Sequence, residues 1–183
     1  MKTQMTIPYF TIDAPYELAY RNNGTSSPAR PHTHNALEIY LTMSDLPDVL
    51  LDDTVSSVSK GSLIIIPPHH VHQLFNQKLT IYERYVLNIN SDWLYTVLGA
   101  GSGLMPYADP AFSPAILRLS PTGLTGLCSQ LDHYLQLHPQ PSLSAYADFF
   151  SLLTVQNVRL CHICIAGLNQ YILHAVLLSL IHI

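Results

Sequence analysis

The chain has 183 residues, 48% of them hydrophobic and only 11% charged, a composition that builds a globular core and excludes a largely disordered or acidic solvating polypeptide. Eight Lys and Arg against twelve Asp and Glu leave a formal charge of −4, so no basic surface for the phosphate backbone of nucleic acid is present. Ten histidines are many for so weakly charged a chain, and histidine is both a common metal ligand and a proton carrier near neutral pH.

The N-terminus, Met1 to Pro8, lacks the continuous apolar segment and small-residue cleavage site of a secretory signal. Cys128, Cys161 and Cys164 are an odd, sparse set that suits a reducing compartment. The expectation is a cytoplasmic protein. Up to about Asn90 the pattern is strand-like, with strands expected near Glu17–Arg21, His32–Thr42, Val49–Leu51, Ser62–Ile66, Val71–Phe75 and Thr80–Asn88. Asn22-Asn23-Gly24, Ser44 to Pro47, Ser59-Lys60-Gly61 and Pro67-Pro68 supply the turns between them. Short strands at this spacing suggest a closed sandwich or barrel.

After Asn90 the period changes. Asn90 or Ser91 can cap a short helix carrying Trp93, Leu94, Val97 and Leu98, and a Pro- and Gly-rich loop is expected to run on to about Pro121. Leu124, Leu127, Cys128, Leu131 and Leu135 then form one stripe of an amphipathic helix that Pro139 and Pro141 stop. Ser142 or Ser144 starts a second helical stretch with Tyr146, Phe149, Phe150 and Leu153 on one face. From Ile163 onward no Asp, Glu, Lys or Arg occurs. Asn169, Gln170, His174 and His182 interrupt that tail, which favours a helix buried against a partner over a membrane span. Cys161 and Cys164 have metal-like spacing but no second pair, and i, i+3 cysteines on a helix read as packing residues. The expected organisation is a β domain with its short helix over residues 1–120 and a helical linker over 121–177.

The chemistry concentrates in two stretches. His32-Thr33-His34 places two imidazoles on one face of an extended strand, where they can converge on one point. Glu38 lies four residues beyond His34, about 13 Å along a straight strand, so the chain must bend between them. Asn35, a turn-tolerant residue, stands where that bend is needed. The second stretch is the apolar strand Ser62 to Ile66, then Pro67-Pro68, then a return strand bearing His72.

HxHxxxE followed by GxxxxxPxxxxHxxxN resembles the paired motifs of the cupin superfamily, a fold of the jelly-roll, double-stranded β-barrel type. The second motif matches at Gly61, Pro67, His72 and Asn76 and departs where His69 stands for the usual turn glycine. The first keeps its ligand types but has Ser26 and Asp45 where glycines are usual. The resemblance implies His32, His34, Glu38 and His72 as metal ligands inside a small barrel. That set would suit Zn, Mn, Fe or Ni without choosing among them. A metal-free pocket, in which the histidines hydrogen-bond a ligand or the backbone, remains the alternative. His69 and His70 read as turn residues.

From about Pro31 to Leu153 the chain also resembles the sensor domain of AraC-type transcription regulators. The resemblance is carried by HTHNALEIYL, KGSLIIIPPHHVH, the strand Ile81 to Ile89 and Ser91-Asp92-Trp93-Leu94. It implies a mainly β fold with C-terminal helices, a small effector such as a sugar bound in the cupin barrel, and a homodimer formed through the helices. DNA would be contacted only through a helix-turn-helix domain absent from this sequence. The effector-binding candidates are His32, His34, Glu38, Tyr40, His72 and Arg84. Arg84 could clasp an anionic group with its planar fork, pair with Glu83 or Glu38, or lie at the outer surface. Tyr40 shares the face of Glu38 and could stack on a sugar ring or simply fill the core.

The expected role is therefore sensing, without enzymatic activity, the alternative being a metal-dependent cupin oxygenase or sugar isomerase. A small storage or sugar-binding cupin is a third reading. Leu178 to Ile183 resemble the translation of a transposon-end adapter used in DNA library preparation, which makes 178–183 an expected adapter-derived tail. The other reading of those residues is the end of a buried helix.

Overall fold

A computed structural model describes residues 7–22, 30–75, 82–98 and 109–139, together with Ala145 and Asp148. Asn76, Cys161 and Cys164, the aromatic face around Tyr146 and the C-terminal tail lie outside the described residues.

The strands are β1 (Tyr9–Phe10), β2 (Tyr16–Arg21), β3 (Thr33–His34), β4 (Ala36–Thr42), β5 (Val49–Leu51), β6 (Thr54–Ser56), β7 (Ser62–Ile66), β8 (His72–Leu74), β9 (Arg84–Asn90) and β10 (Ala115–Arg118). The helices are α1 (Ser91–Leu98) and α2 (Pro121–Leu137). The pairing has a simple logic. β5 pairs with β6 across the tight Asp52-Asp53 turn, β4 with β7, and β2 with β9, all antiparallel. Between β3 and β8 the antiparallel contact is the bridge His32↔His72, closed by two backbone bonds of 3.1 and 3.0 Å. The chain is thus one long nested hairpin.

Curling that hairpin lays β9 against β4 and β8 against β5. One sheet then runs β10-β7-β4-β9-β2 and the other β6-β5-β8, continued through the His32 bridge to β3 and its parallel neighbour β1. This alternation of consecutive strands between two facing sheets is the jelly roll, the cupin-type architecture expected from the sequence. The described sheets do not close into one continuous hydrogen-bonded barrel.

Burial explains the strand sequences. Every residue of β7 is buried, as a continuous Leu-Ile-Ile-Ile run requires when both faces of a strand are covered. The side chains between the sheets include Tyr40, Ile64, Ile66 and Val86 from one, and Val49, Leu51 and Leu74 from the other. Fully burying side chains of this kind stabilises by about 1.5–3 kcal/mol each. Gly61 adopts φ 81° at the entry to β7, a conformation glycine takes without a Cβ penalty. At the Pro67-Pro68 turn, His69 takes φ 68°, the left-handed backbone for which a glycine is usual. Its N–H donates to the His34 carbonyl at 2.8 Å and its ring stacks on Tyr9.

Three strands differ from the sequence expectation. β1 is only two residues long. β6 is mostly exposed, and β10 alternates between half-buried and exposed residues inside the stretch expected to be loop. Both are edge strands of only three and four residues, too short for a two-residue period to show.

The chain divides into two compact units, residues 1–99 with 105–117, and residues 100–104 with 118–183. The first contains the jelly roll and α1, which Asn90 caps by accepting the Trp93 N–H at 2.9 Å. In the second, Ser120 caps α2 through the Gly123 N–H, with Pro121 entering the first turn, as the sequence suggests. Gly123, Leu131 and Tyr134 are the buried residues of α2. Leu124, Leu127, Cys128 and Leu135 are half-buried, so the apolar stripe is broader and shallower than its periodicity implies. The Tyr134 hydroxyl donates to the Ala145 carbonyl at 3.0 Å, and His138 Nε2 lies 2.8 Å from Asp148. No helix among the described residues is long and apolar enough to cross a membrane.

Gly126 is an exposed interior residue of α2, and a Cβ added there would meet nothing within 4 Å. Gly126→Ala should therefore stabilise the helix by about 0.5–1 kcal/mol, raising the midpoint of chemical denaturation followed by helical circular dichroism. A lower midpoint would contradict the placement of this face in solvent.

Candidate metal and ligand centre

The bend expected at Asn35 separates β3 from β4. It is held from both sides. Asn35 Oδ1 accepts the Ile12 N–H at 2.8 Å, its Nδ2 donates to the Ile12 carbonyl, and its own carbonyl accepts from Ser91 Oγ at 2.7 Å. This corner turns Glu38 back toward the histidines that precede it. The His32↔His72 bridge then brings in the second stretch from 40 positions further along the chain, just past the Pro67-Pro68 turn.

The result is one buried cluster. His32, His34, Glu38 and His72 are each at most 7% exposed. His34 Nε2 lies 3.0 Å and His72 Nε2 lies 2.9 Å from the same oxygen, Glu38 Oε2. The ring centroids of His32 and His72 are 4.2 Å apart and those of His34 and His72 are 4.8 Å apart. One nitrogen from each of the three histidines falls within 4.8 Å of the others. The four residues singled out from sequence therefore meet inside the jelly roll.

The proton inventory distinguishes the histidines. His72 Nδ1 is 3.0 Å from the His70 carbonyl, which can only accept, so that nitrogen carries a proton. Nε2 then faces the Glu38 carboxylate at 2.9 Å but off the line of a hydrogen bond. A bare lone pair there would repel the carboxylate, and a second proton on the ring or a cation held by both groups would relieve that repulsion. Backbone support of the distal imidazole nitrogen is also the usual arrangement for a metal-bound histidine. His32 adds a buried Nδ1 with no hydrogen-bond partner.

His34 fits an ion less directly. Its Nδ1 accepts the Ala36 N–H at 3.3 Å, which puts the ring proton on Nε2, aimed at Glu38. An ion bound at Nε2 requires that proton to leave or to move to Nδ1. Two donors on one ion, about 2.1 Å from it, stand about 3.0–3.4 Å apart at angles of 90–109° and about 4.2 Å apart when opposed. The contacts to Glu38 match the first range; the three imidazole nitrogens, all within 4.8 Å of one another, cannot all be opposed, so the residues fit an ion once the rings close by up to about 1.4 Å toward that range.

The electrostatics follow the same logic. Burial pushes the Glu38 carboxyl up, but the imidazoles of His34 and His72 outweigh it and hold the group well below the usual carboxylate range. Burial likewise opposes the imidazolium of His72, and Glu38 reverses it, leaving His72 raised. His32, which lacks that close carboxylate contact, is depressed to about 4 by burial and by the neighbouring His72. In the absence of a cation, Glu38 favours the protonated form of His72, while burial favours the neutral form of His32.

The strand period places further polar groups on the same inner face. Tyr40 follows Glu38 on β4, buried, and its phenol is raised by burial and then by Glu38. On β9, Arg84 is 2% exposed. Its guanidinium stands 4.4 Å over the Tyr82 ring, and burial lowers its pKa. Arg84 is therefore inside the fold and not on its outer surface, while Glu83 is exposed. Asn88 was not among the sequence candidates. It shares the face of Arg84, lies directly opposite Glu38 in the β4–β9 register, and has a buried Oδ1 without a hydrogen-bond partner. Counting by twos from Arg84 along the strand would have found it. His69 and His70 are turn residues, His70 bridging Asp52 and the Pro110 carbonyl.

No family model matches the sequence, and no curated protein does. Among solved structures, the chain is similar to ToxT from Vibrio cholerae, with 8% identity and a TM-score of 0.42, covering 78% of this chain and 57% of that one. It is similar to a Cupin 2 conserved barrel domain protein from Salinispora arenicola, with 18% identity and a TM-score of 0.35, over 51% and 78%. A variant of salicylate 1,2-dioxygenase from Pseudoaminobacter salicylatoxidans is similar at 14% identity and a TM-score of 0.34, over 69% and 42%. This chain thus spans little more than half the length of ToxT.

Proposed function

We propose that this chain is the small-molecule-sensing domain of a transcription regulator of the AraC type. The observation that carries the reading is the convergence of His32, His34, Glu38 and His72 on one interior point, with Tyr40 and Arg84 on the same inner face. A buried array of this kind is costly to a fold unless something binds it, because buried charges and unpartnered polar atoms each oppose folding. A divalent ion held by the four residues would supply a Lewis-acid site for oxygen atoms of a sugar or other metabolite. Arg84 presents a buried cation to an anionic group of the effector, and Tyr40 presents a phenol kept protonated by burial.

Sensing then requires the effector to favour one arrangement of the helical segment over another, which it does only through differential affinity for the two. The homodimer would form through the helices, DNA would be engaged by a separate helix-turn-helix domain, and the protein would be cytoplasmic. Thermal-shift screening of the ion-loaded protein against sugars and small carboxylates tests the reading, since a ligand that binds only the folded state raises its apparent stability. A raised melting temperature that Arg84→Gln or Tyr40→Phe diminishes is expected. A panel without any response would contradict it.

The second reading is a metal-dependent cupin enzyme, favoured by the backbone-supported His72 ring and its unaligned contact with Glu38. Turnover lost on chelation and restored by an ion would decide for that reading.

A further inference from the structure

The geometry points to Asn88 as the positioning residue for the exchangeable group, a water or a ligand hydroxyl, that shares the centre with the ion; this rests on reading His32, His34, Glu38 and His72 as ion ligands. Asn88 pairs with Glu38 in the β4–β9 register, which puts the two Cβ atoms about 4.5–5.5 Å apart on one face of the sheet. The residue is 9% exposed, and its Oδ1 is buried without a partner among the described residues. The groups facing it across the neighbouring strands are Glu38 on one side and Glu17 on the other. Both are carboxylates and neither offers a proton.

An amide oxygen that accepts nothing destabilises a fold. Val86, the preceding residue on the same face, is apolar and packs in the core, whereas position 88 carries an amide. What Asn88 supplies is an acceptor beside the one carboxylate on which two imidazoles converge. Ions of this type bound by three or four protein ligands keep positions open to water or ligand oxygen. The protons of such an oxygen need an acceptor, and Asn88 Oδ1 is placed to be it.

The test uses the whole chain and Zn2+ as probe, with affinity from calorimetry and stability from thermal melting in the presence and absence of chelator. Asn88→Val should lower Zn2+ affinity by about 10–100-fold, the usual loss when a group orienting a metal's surroundings is removed. The same substitution should leave the melting temperature of the chelated protein unchanged or higher, because it removes an unpartnered polar atom. Asn88→Asp keeps the acceptor and should bind Zn2+ at least as tightly as the unaltered chain.

Unchanged Zn2+ affinity in Asn88→Val, or a lower chelated melting temperature with affinity intact, would overturn the proposal and show a structural residue. Should Asn88→Val not fold, a tenfold loss of affinity in Asn88→Asp would overturn it equally. Failure of the unaltered chain to bind Zn2+, Mn2+, Fe2+ or Ni2+ would instead remove the ion-centre reading, and this inference with it.

Discussion

His72→Ala should reduce the affinity of the chain for a divalent ion by more than about 100-fold, because even losing a group that only orients a ligand costs about 10–100-fold. His72 is the best-prepared of the three histidines. Its Nδ1–H is held by the His70 carbonyl, and its Nε2 is turned to Glu38 at 2.9 Å. The substitution also leaves the Glu38 carboxylate, 5% exposed, with His34 as its remaining close partner. Breaking a buried pair by removing one member costs about 3–5 kcal/mol, and the lower end applies here because His34 still donates to Glu38. The chelated variant should therefore denature earlier as well. His70→Ala is the control: its backbone carbonyl remains, and its side chain engages Asp52 and Pro110 outside the cluster, so ion affinity should stay within a few-fold. Equal losses in the two variants would contradict the assignment.

Acidification gives the second large effect, in the chelated protein. His32 is depressed from 6.5 to about 4, so between those values the unfolded chain binds a proton that the folded chain refuses. Stability must then fall as pH is lowered from about 6.5 to about 4, by at most about 3 kcal/mol. The neighbouring groups do not cancel this slope. His72, being raised, contributes stability that is fully present below 6.5 and is lost only as pH rises through its folded value. Glu38, being depressed, contributes stability that is present above its ordinary value near 4.5 and is lost as pH falls through its lower folded value. Denaturation midpoints across this window should flatten in His32→Gln. A slope that survives the substitution would assign the titration elsewhere.

Much of the centre was legible in the sequence because it rests on local rules. The two-residue period of a strand aligned His32 with His34, and the length of a straight strand required the bend that Asn35 makes. The long-range step was of another kind. Nothing in the periodicity of residues 30–42 or 61–76 says that His32 and His72 bond to each other's backbones; only the resemblance to the cupin motifs suggested it, and the nested hairpin supplies the reason. β6 and β10 escaped because edge strands of three and four residues are too short to show a period and owe their form to a neighbour. Asn88 escaped because a neutral amide carries no charge signal of its own and is marked only by sharing the face of Arg84.

X-ray absorption spectroscopy of the Zn2+-loaded chain tests the central claim most directly. The account predicts one ion per chain, with nitrogen and oxygen neighbours at about 2.0–2.2 Å, scattering characteristic of three imidazoles, and the loss of one imidazole in His72→Ala. An ion surrounded by fewer than three imidazoles, or a spectrum indifferent to the loss of His72, would contradict it.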